Sequence, residues 1–127
     1  MTRQIISTPL APSSPLYSQG VRVDSTIYVS GMVGIDPATG QLAGPSIQDQ
    51  TRQALRNGEA IVVAGGATPD DIVQVTVLLA APHDFSGMNE AYAEAFPASP
   101  PTRAVAKLGV ELPGVLVSIM MTAQIGS

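Results

Sequence analysis

Arg103 stands second in the run Thr102-Arg103-Ala104-Val105-Ala106-Lys107-Leu108, where it has the setting of a strand residue among small and apolar neighbours. Alternation along an extended chain places it on one face with Val105 and Lys107. A guanidinium in such company needs a partner, because an unpaired buried charge is very costly. Its planar fork of donors suits a ligand carboxylate held through two hydrogen bonds. A structural salt bridge, or an edge-strand arginine whose head reaches water, fits the same residues.

Asn89 falls between Phe85 and Tyr92 on a helical stripe. An amide there can orient a ligand or a neighbouring side chain, or sit as a satisfied core amide. Tyr17 follows a Pro/Ser-rich stretch, and Ser30-Gly31 interrupts an apolar strand where glycine permits close backbone approach. Other chemistries lack their residues. There is no cysteine, so disulfides, thiolate nucleophiles and Cys-type zinc sites are excluded. The single histidine, His83, excludes His-pair metal motifs and reads as a solvated loop residue near a helix cap. Walker, G-x-G-x-x-G and G-x-S-x-G patterns are missing.

The elements that must position these residues follow from periodicity and punctuation. Gln4–Thr8 reads as a strand and 9–15 as a loop. Gln19–Val23 and Thr26–Val33 read as strands joined at Asp24-Ser25. Asp36-Pro-Ala-Thr-Gly40 is a turn. Ser46, with Asp49 three residues on, opens a helix in a capping-box-like arrangement, and Gly65-Gly66 closes it. Gly58 on its apolar face predicts close approach to a sheet. Asp71–Ala80 is rich in β-branched residues and reads as a strand. Asp84 is expected to cap a second helix running to Phe96, with Phe85, Met88, Tyr92, Ala95 and Phe96 as its apolar stripe. Pro97 stops that helix. Thr102–Leu108 and Val115–Gln124, linked through Pro113-Gly114, complete a β-β-β-α-β-α-β-β order.

The 127 residues suit one domain spanning 1–127. Ten acidic and six scattered basic residues give a net charge of −4, without the basic footprint that nucleic-acid binding needs. No apolar run approaches the roughly 20 residues that span a bilayer, and residues from Met1 onward lack a secretory leader's apolar core. The absence of cysteine fits the cytoplasm. Only 13% of residues are charged. The last strand is apolar on both faces, Val115, Val117, Ile119, Met121 and Ala123 on one, Leu116, Ser118, Met120 and Thr122 on the other. Its second face must meet something, and another subunit is expected.

Taken together, Tyr17-Ser18-Gln19-Gly20, Ser30-Gly31, Thr51-Arg52-Gln53-Ala54-Leu55-Arg56-Asn57, Asn89-Glu90-Ala91-Tyr92 and Pro101-Thr102-Arg103-Ala104 resemble the successive signatures of the reactive-intermediate deaminase (RidA/YjgF) family. The resemblance implies a chorismate-mutase-like α+β fold, a mixed sheet with two helices on one face, and a homotrimer with clefts between subunits. It also implies hydrolysis of 2-imino acids to 2-oxo acids and ammonia without cofactor or metal. By the same resemblance Arg103 clamps the substrate carboxylate. Tyr17, Ser30, Gly31 and Asn89 shape the pocket, order water or meet the imine, and Val105 and Ser118 complete the lining. The family's deaminases carry a glutamate in the last strand where this chain has Ser118, while Glu111 lies in the preceding loop. Three readings follow: an imine/enamine deaminase, a specialised variant whose Met120, Met121 and Ser118 line a more apolar pocket, or a non-catalytic trimer that binds small carboxylates.

Overall fold

The computed structural model describes residues 2–127. A six-stranded sheet is ordered β1-β2-β3-β8-β6-β7, with β1 at Arg3–Ile6, β2 at Gly20–Val23, β3 at Thr26–Val33, β6 at Ile72–Leu79, β7 at Thr102–Lys107 and β8 at Val117–Gln124. Among the described residues only the β6–β7 pair is parallel, so the sheet is mixed. Helices α1 (Ile47–Ala64) and α2 (Phe85–Ala95) pack together on one face of this α+β fold.

α1 begins where Ser46 accepts a hydrogen bond from the Asp49 amide. The reciprocal bond of a capping box is replaced, because the Asp49 carboxylate turns to Arg52 at 3.3 Å. The helix buries Ile47, Ala54, Leu55, Ile61 and Val62 against the sheet. The mid-helix glycine has the expected cause: a Cβ on Gly58 would run into Cε of Met121. Met121 is therefore core, and the expectation that it lines a pocket is corrected. Asn57 is also buried in α1 and donates to the carbonyls of Val33 and Ile35, fixing the chain as it leaves β3.

Several boundaries differ from the sequence reading. β1 starts and ends earlier, since after Ile6 the chain bends to meet Gln19 instead of a strand. Asp71 belongs to a 3₁₀ turn at Pro69–Asp71, where its carboxylate binds the Thr68 amide. β8 begins at Val117 because the Leu116 amide donates to Gln50 Oε1. The Asp36–Gly40 turn is the tip of a two-stranded ribbon, β4 (Ile35–Asp36) and β5 (Gln41–Leu42), too short to carry its own periodicity. Asp84 occupies the α2 N-cap without a side-chain cap bond, because a 3₁₀ turn at Pro82–Asp84 runs directly into the helix. Phe85 departs from the core stripe and is 44% exposed, standing beside Arg103 of the edge strand β7.

Val117, Ile119, Met121 and Ala123 of β8 face the helices and are buried. The opposite face carries Tyr28 and Met120, 54% and 48% exposed, and Ile5, which is paired through Val21 to Tyr28. A β-bulge marks β3: Val29 pairs with Met121 and Met32 with Ile119, so Ser30 and Gly31 together oppose Met120. Such an extra residue re-aims side chains.

Candidate active site

β7 runs parallel to β6 in a register that pairs Arg103 with Val75 and Val105 with Val77. Both valines are fully buried under the helices. Arg103 therefore projects from the helix-covered face at the sheet edge, against α2. Its Nη1 donates to Asn89 Oδ1 at 2.7 Å. Its Cζ stands 4.8 Å from the centroid of the Tyr92 ring and 5.9 Å from that of Phe85. Two aromatic faces and one amide thus fix the guanidinium. No carboxylate pairs with it among the described residues; the acid–base pairs there are Arg52 with Asp49 and Glu94, and His83 with Asp84. Arg103 is exposed in the single chain, as in the alternative of an edge-strand arginine whose head reaches water. The edge strand leaves one side of it uncovered.

The phenol beneath this cation is unusual. Tyr92 is buried, and its hydroxyl has no hydrogen-bond partner among the described residues. Burial pushes its pKa up, and the charge of Arg103 opposes that only in part. Tyr92 therefore stays neutral and serves Arg103 through its ring. Its role and that of Phe85 went unrecognised in the sequence, where both read as core stripe.

Ser30, Gly31 and Ser118 lie elsewhere. A Cβ on Gly31 would come within 2.9 Å of Ser118 Oγ, so these two meet on the sheet face that the helices leave open. Ser30 donates through Oγ to the Ser18 carbonyl at 2.6 Å, which leaves the lone pairs of that oxygen as acceptors. Tyr17 is 46% exposed, beside Ser18. Its loop is held by Gln19, a buried amide that sequence reading quoted only as part of a motif. Gln19 Nε2 meets the carbonyls of Thr8, Ala11 and Pro12, and Gln19 Oε1 accepts from the Thr8 amide at 2.7 Å.

One chain therefore brings together Arg103, Asn89 and Val105, and separately Ser30, Gly31 and Ser118 with Tyr17 nearby, but does not join the two groups. His83 is solvated as expected, its side chain 82% exposed. Glu111 lies in the exposed loop before β8, lining a cleft of about 500 Å3 with Lys107 and Leu112. Among the described residues no group of three or more His, Cys, Asp or Glu could hold a metal ion, and no helix is long and apolar enough to cross a membrane.

Comparison with known proteins adds an independent line. Residues 8–125 match the family model described as Endoribonuclease L-PSP. The chain is 46% identical over 103 residues to a 2-iminobutanoate/2-iminopropanoate deaminase of Mus musculus, covering 80% of this chain and 76% of that one. It resembles a putative endoribonuclease L-PSP from Entamoeba histolytica, with a TM-score of 0.92, 34% identity, and 98% and 100% of the two chains covered. It also resembles E. coli TdcF with bound serine, with a TM-score of 0.87, 34% identity, and 95% and 98% covered.

Proposed function

The chain belongs to the endoribonuclease L-PSP family, which includes the reactive-intermediate (Rid) deaminases, and on that premise we propose that it hydrolyses 2-imino acids to 2-oxo acids and ammonia in clefts of a homotrimer. The observation that carries this reading is a reachable guanidinium, oriented by Asn89, Tyr92 and Phe85 and paired with no carboxylate among the described residues. Such a fork suits the carboxylate beside an electrophilic C=N carbon.

In the proposed trimer one chain supplies Arg103, Asn89 and Val105, and its neighbour supplies Tyr17, Ser30, Gly31 and Ser118. The exposed apolar side chains of the open sheet face support this, since Ile5, Tyr28 and Met120 lose contact with water on association. Water adds to the imine carbon, and the C=N π pair moves to nitrogen, which takes a proton. The C–N bond then breaks to release ammonia as the added hydroxyl gives up its proton and becomes the 2-oxo group. Ser30 Oγ, its proton committed to Ser18, accepts a hydrogen bond from the incoming water. Arg103 contributes by positioning the reacting carbon, which needs no metal or cofactor. The proposed location is the cytoplasm, which suits a chain without cysteine. The scattered basic residues and net charge of −4 argue against RNA as a substrate, despite the family's descriptive name.

Ser118 favours a second reading, a trimer that binds small carboxylates without turning them over. A hydroxyl without a partner base does not match a carboxylate in acid–base catalysis. The test uses imines generated in situ from amino acids by an amino-acid oxidase. The deaminase reading expects faster 2-oxo acid formation than in buffer, lost in Arg103→Ala. Absence of acceleration across several imines, together with a rise in Tm on adding 2-oxobutanoate, establishes the binding reading instead.

A further inference from the structure

Next to Arg103 a cleft of about 380 Å3 opens between the β7 edge and the start of α2, lined by Leu79, Pro82, Phe85, Val105, Ala106 and Lys107. This volume lies in the range of small-molecule pockets, roughly 300–1,000 Å3. Two links join it to the guanidinium. Phe85 belongs to the cleft wall and also stands 5.9 Å from Arg103 Cζ. Val105 is two residues along β7 from Arg103 on the same face, about 7 Å away at the usual rise of a strand. Leu79, buried at 5% exposure, and Pro82 add apolar surface, whereas Ala106, paired with Leu78 and so turned to the other face of β7, does not put its side chain into the cleft. The one charged lining residue, Lys107, is exposed at the rim, where its stem covers apolar surface while its ammonium keeps to water.

A ligand whose carboxylate sits on Arg103 has its next substituent within reach of this cleft. We infer that the cleft receives the substrate side chain, and that the chain prefers 2-imino acids with branched apolar side chains over the smaller imines for which its deaminase relatives are named. This rests on the deaminase reading above for its turnover part only. Met120 and Met121 play no part in it: one lies on the opposite face and the other in the core.

The experiment compares kcat/KM for imines generated from leucine, alanine and glutamate, in the wild type and in Val105→Thr. One methylene in an apolar pocket is worth about 10- to 200-fold. The leucine-derived imine is therefore expected to exceed the alanine-derived one at least about tenfold. Val105→Thr, which puts a hydroxyl into the wall, should shrink that ratio several-fold. Equal or better turnover of the alanine-derived imine overturns the inference. So does a preference for the glutamate-derived imine, which would mean that Lys107 recruits a second carboxylate. Binding is read in parallel: 4-methyl-2-oxopentanoate should raise the Tm more than 2-oxopropanoate at equal concentration. If no imine is turned over but that difference holds, the deaminase reading fails and the pocket stands. If turnover is present and the two acids bind alike with equal kcat/KM, the pocket fails and the deaminase reading stands.

Discussion

Arg103 and Ser118 stand on opposite faces of one sheet, separated by strand β6. The register makes this unavoidable: Arg103 is paired with Val75, which is buried under the helices, whereas Ser118 is paired with Leu78, three residues further along β6 and on its other face. No side-chain rotation carries either through the sheet. If both act on one substrate, two chains must supply them.

Complementation between inactive variants tests this arrangement. Arg103→Ala spoils one half of the proposed cleft and Ser30→Ala the other, so each pure variant is expected to be inactive. Co-refolded in equal amounts, random assembly leaves about a quarter of the interfaces with both halves intact, and about a quarter of the wild-type rate should return. A mixture no more active than its components would place the whole reaction within one chain.

Arg103 itself should be sensitive to geometry as well as charge. Arg103→Ala is expected to lower kcat/KM roughly 10²-fold or more, the scale of a lost charge-assisted bidentate contact. Arg103→Lys should recover only part, because an ammonium cannot form the fork or lie as flat against Tyr92. Both variants should keep the wild-type Tm within a degree or two, since the guanidinium is exposed and pairs with no acid among the described residues. Steady-state kinetics with thermal melts checks all three statements.

Ser118→Glu puts a carboxylate beside Gly31 on the open sheet face. If proton handling limits the wild type, kcat should rise by up to about 10²–10⁴, the usual scale of general acid–base help. The rate should also gain an acid limb, falling as the new carboxyl protonates. The side chain has to pass Gly31, whose own Cβ position lies 2.9 Å from Ser118 Oγ, so it must extend toward the open face. An unchanged rate and a flat pH profile would show that water alone handles the proton here.

Much of this architecture is legible in the sequence because it is periodic. The β-branched run after Asp71, the Gly58 position against Met121, and the Ser46 cap all follow from spacing and side-chain size. The site is less legible. Phe85 and Tyr92 share one helical stripe, yet Tyr92 is buried while Phe85 is exposed beside Arg103 of the edge strand. Nothing local distinguishes them, because the difference lies in where β7 ends the sheet. The placement of Arg103 and Ser118 on two faces depends likewise on the registers of β6 with β7 and with β8, long-range pairings that periodicity does not encode. Gln19 and Gln50 look like surface amides in sequence. Their burial becomes evident only when the loops they tie together are seen.

Gln19 should prove to be a positioning residue for Tyr17. Its buried amide holds the loop through the carbonyls of Thr8, Ala11 and Pro12 and the amide of Thr8. Gln19→Leu removes the polar partner from all of these. Stranding such groups costs about 1–3 kcal/mol each where water cannot reach them, so the Tm should fall by several degrees. Amide exchange should speed up across residues 8–19 ahead of the rest of the chain. Uniform exchange with an unchanged Tm would mean that Gln19 fills space only.

Asp71 makes stability depend on pH in a direction its contacts dictate. The Thr68 amide, donating to its carboxylate at 2.9 Å, holds its pKa below the ordinary carboxylate value, with the Gly126 amide adding to the effect and burial opposing it. The folded state thus favours the ionised form more than the unfolded chain does, where an aspartate titrates near 3.9. Its contribution is fully present above that unfolded pKa and disappears as pH falls through the lower folded value. Melting between about pH 6 and pH 2 should therefore show a loss of Tm concentrated at the acid end. Asp71→Asn should melt lower than the wild type at neutral pH, because a neutral amide is a weaker acceptor for the Thr68 amide, and the two curves should converge as the wild-type carboxyl protonates. A constant gap between the curves down to pH 2 would show that Asp71 acts by shape and not by charge.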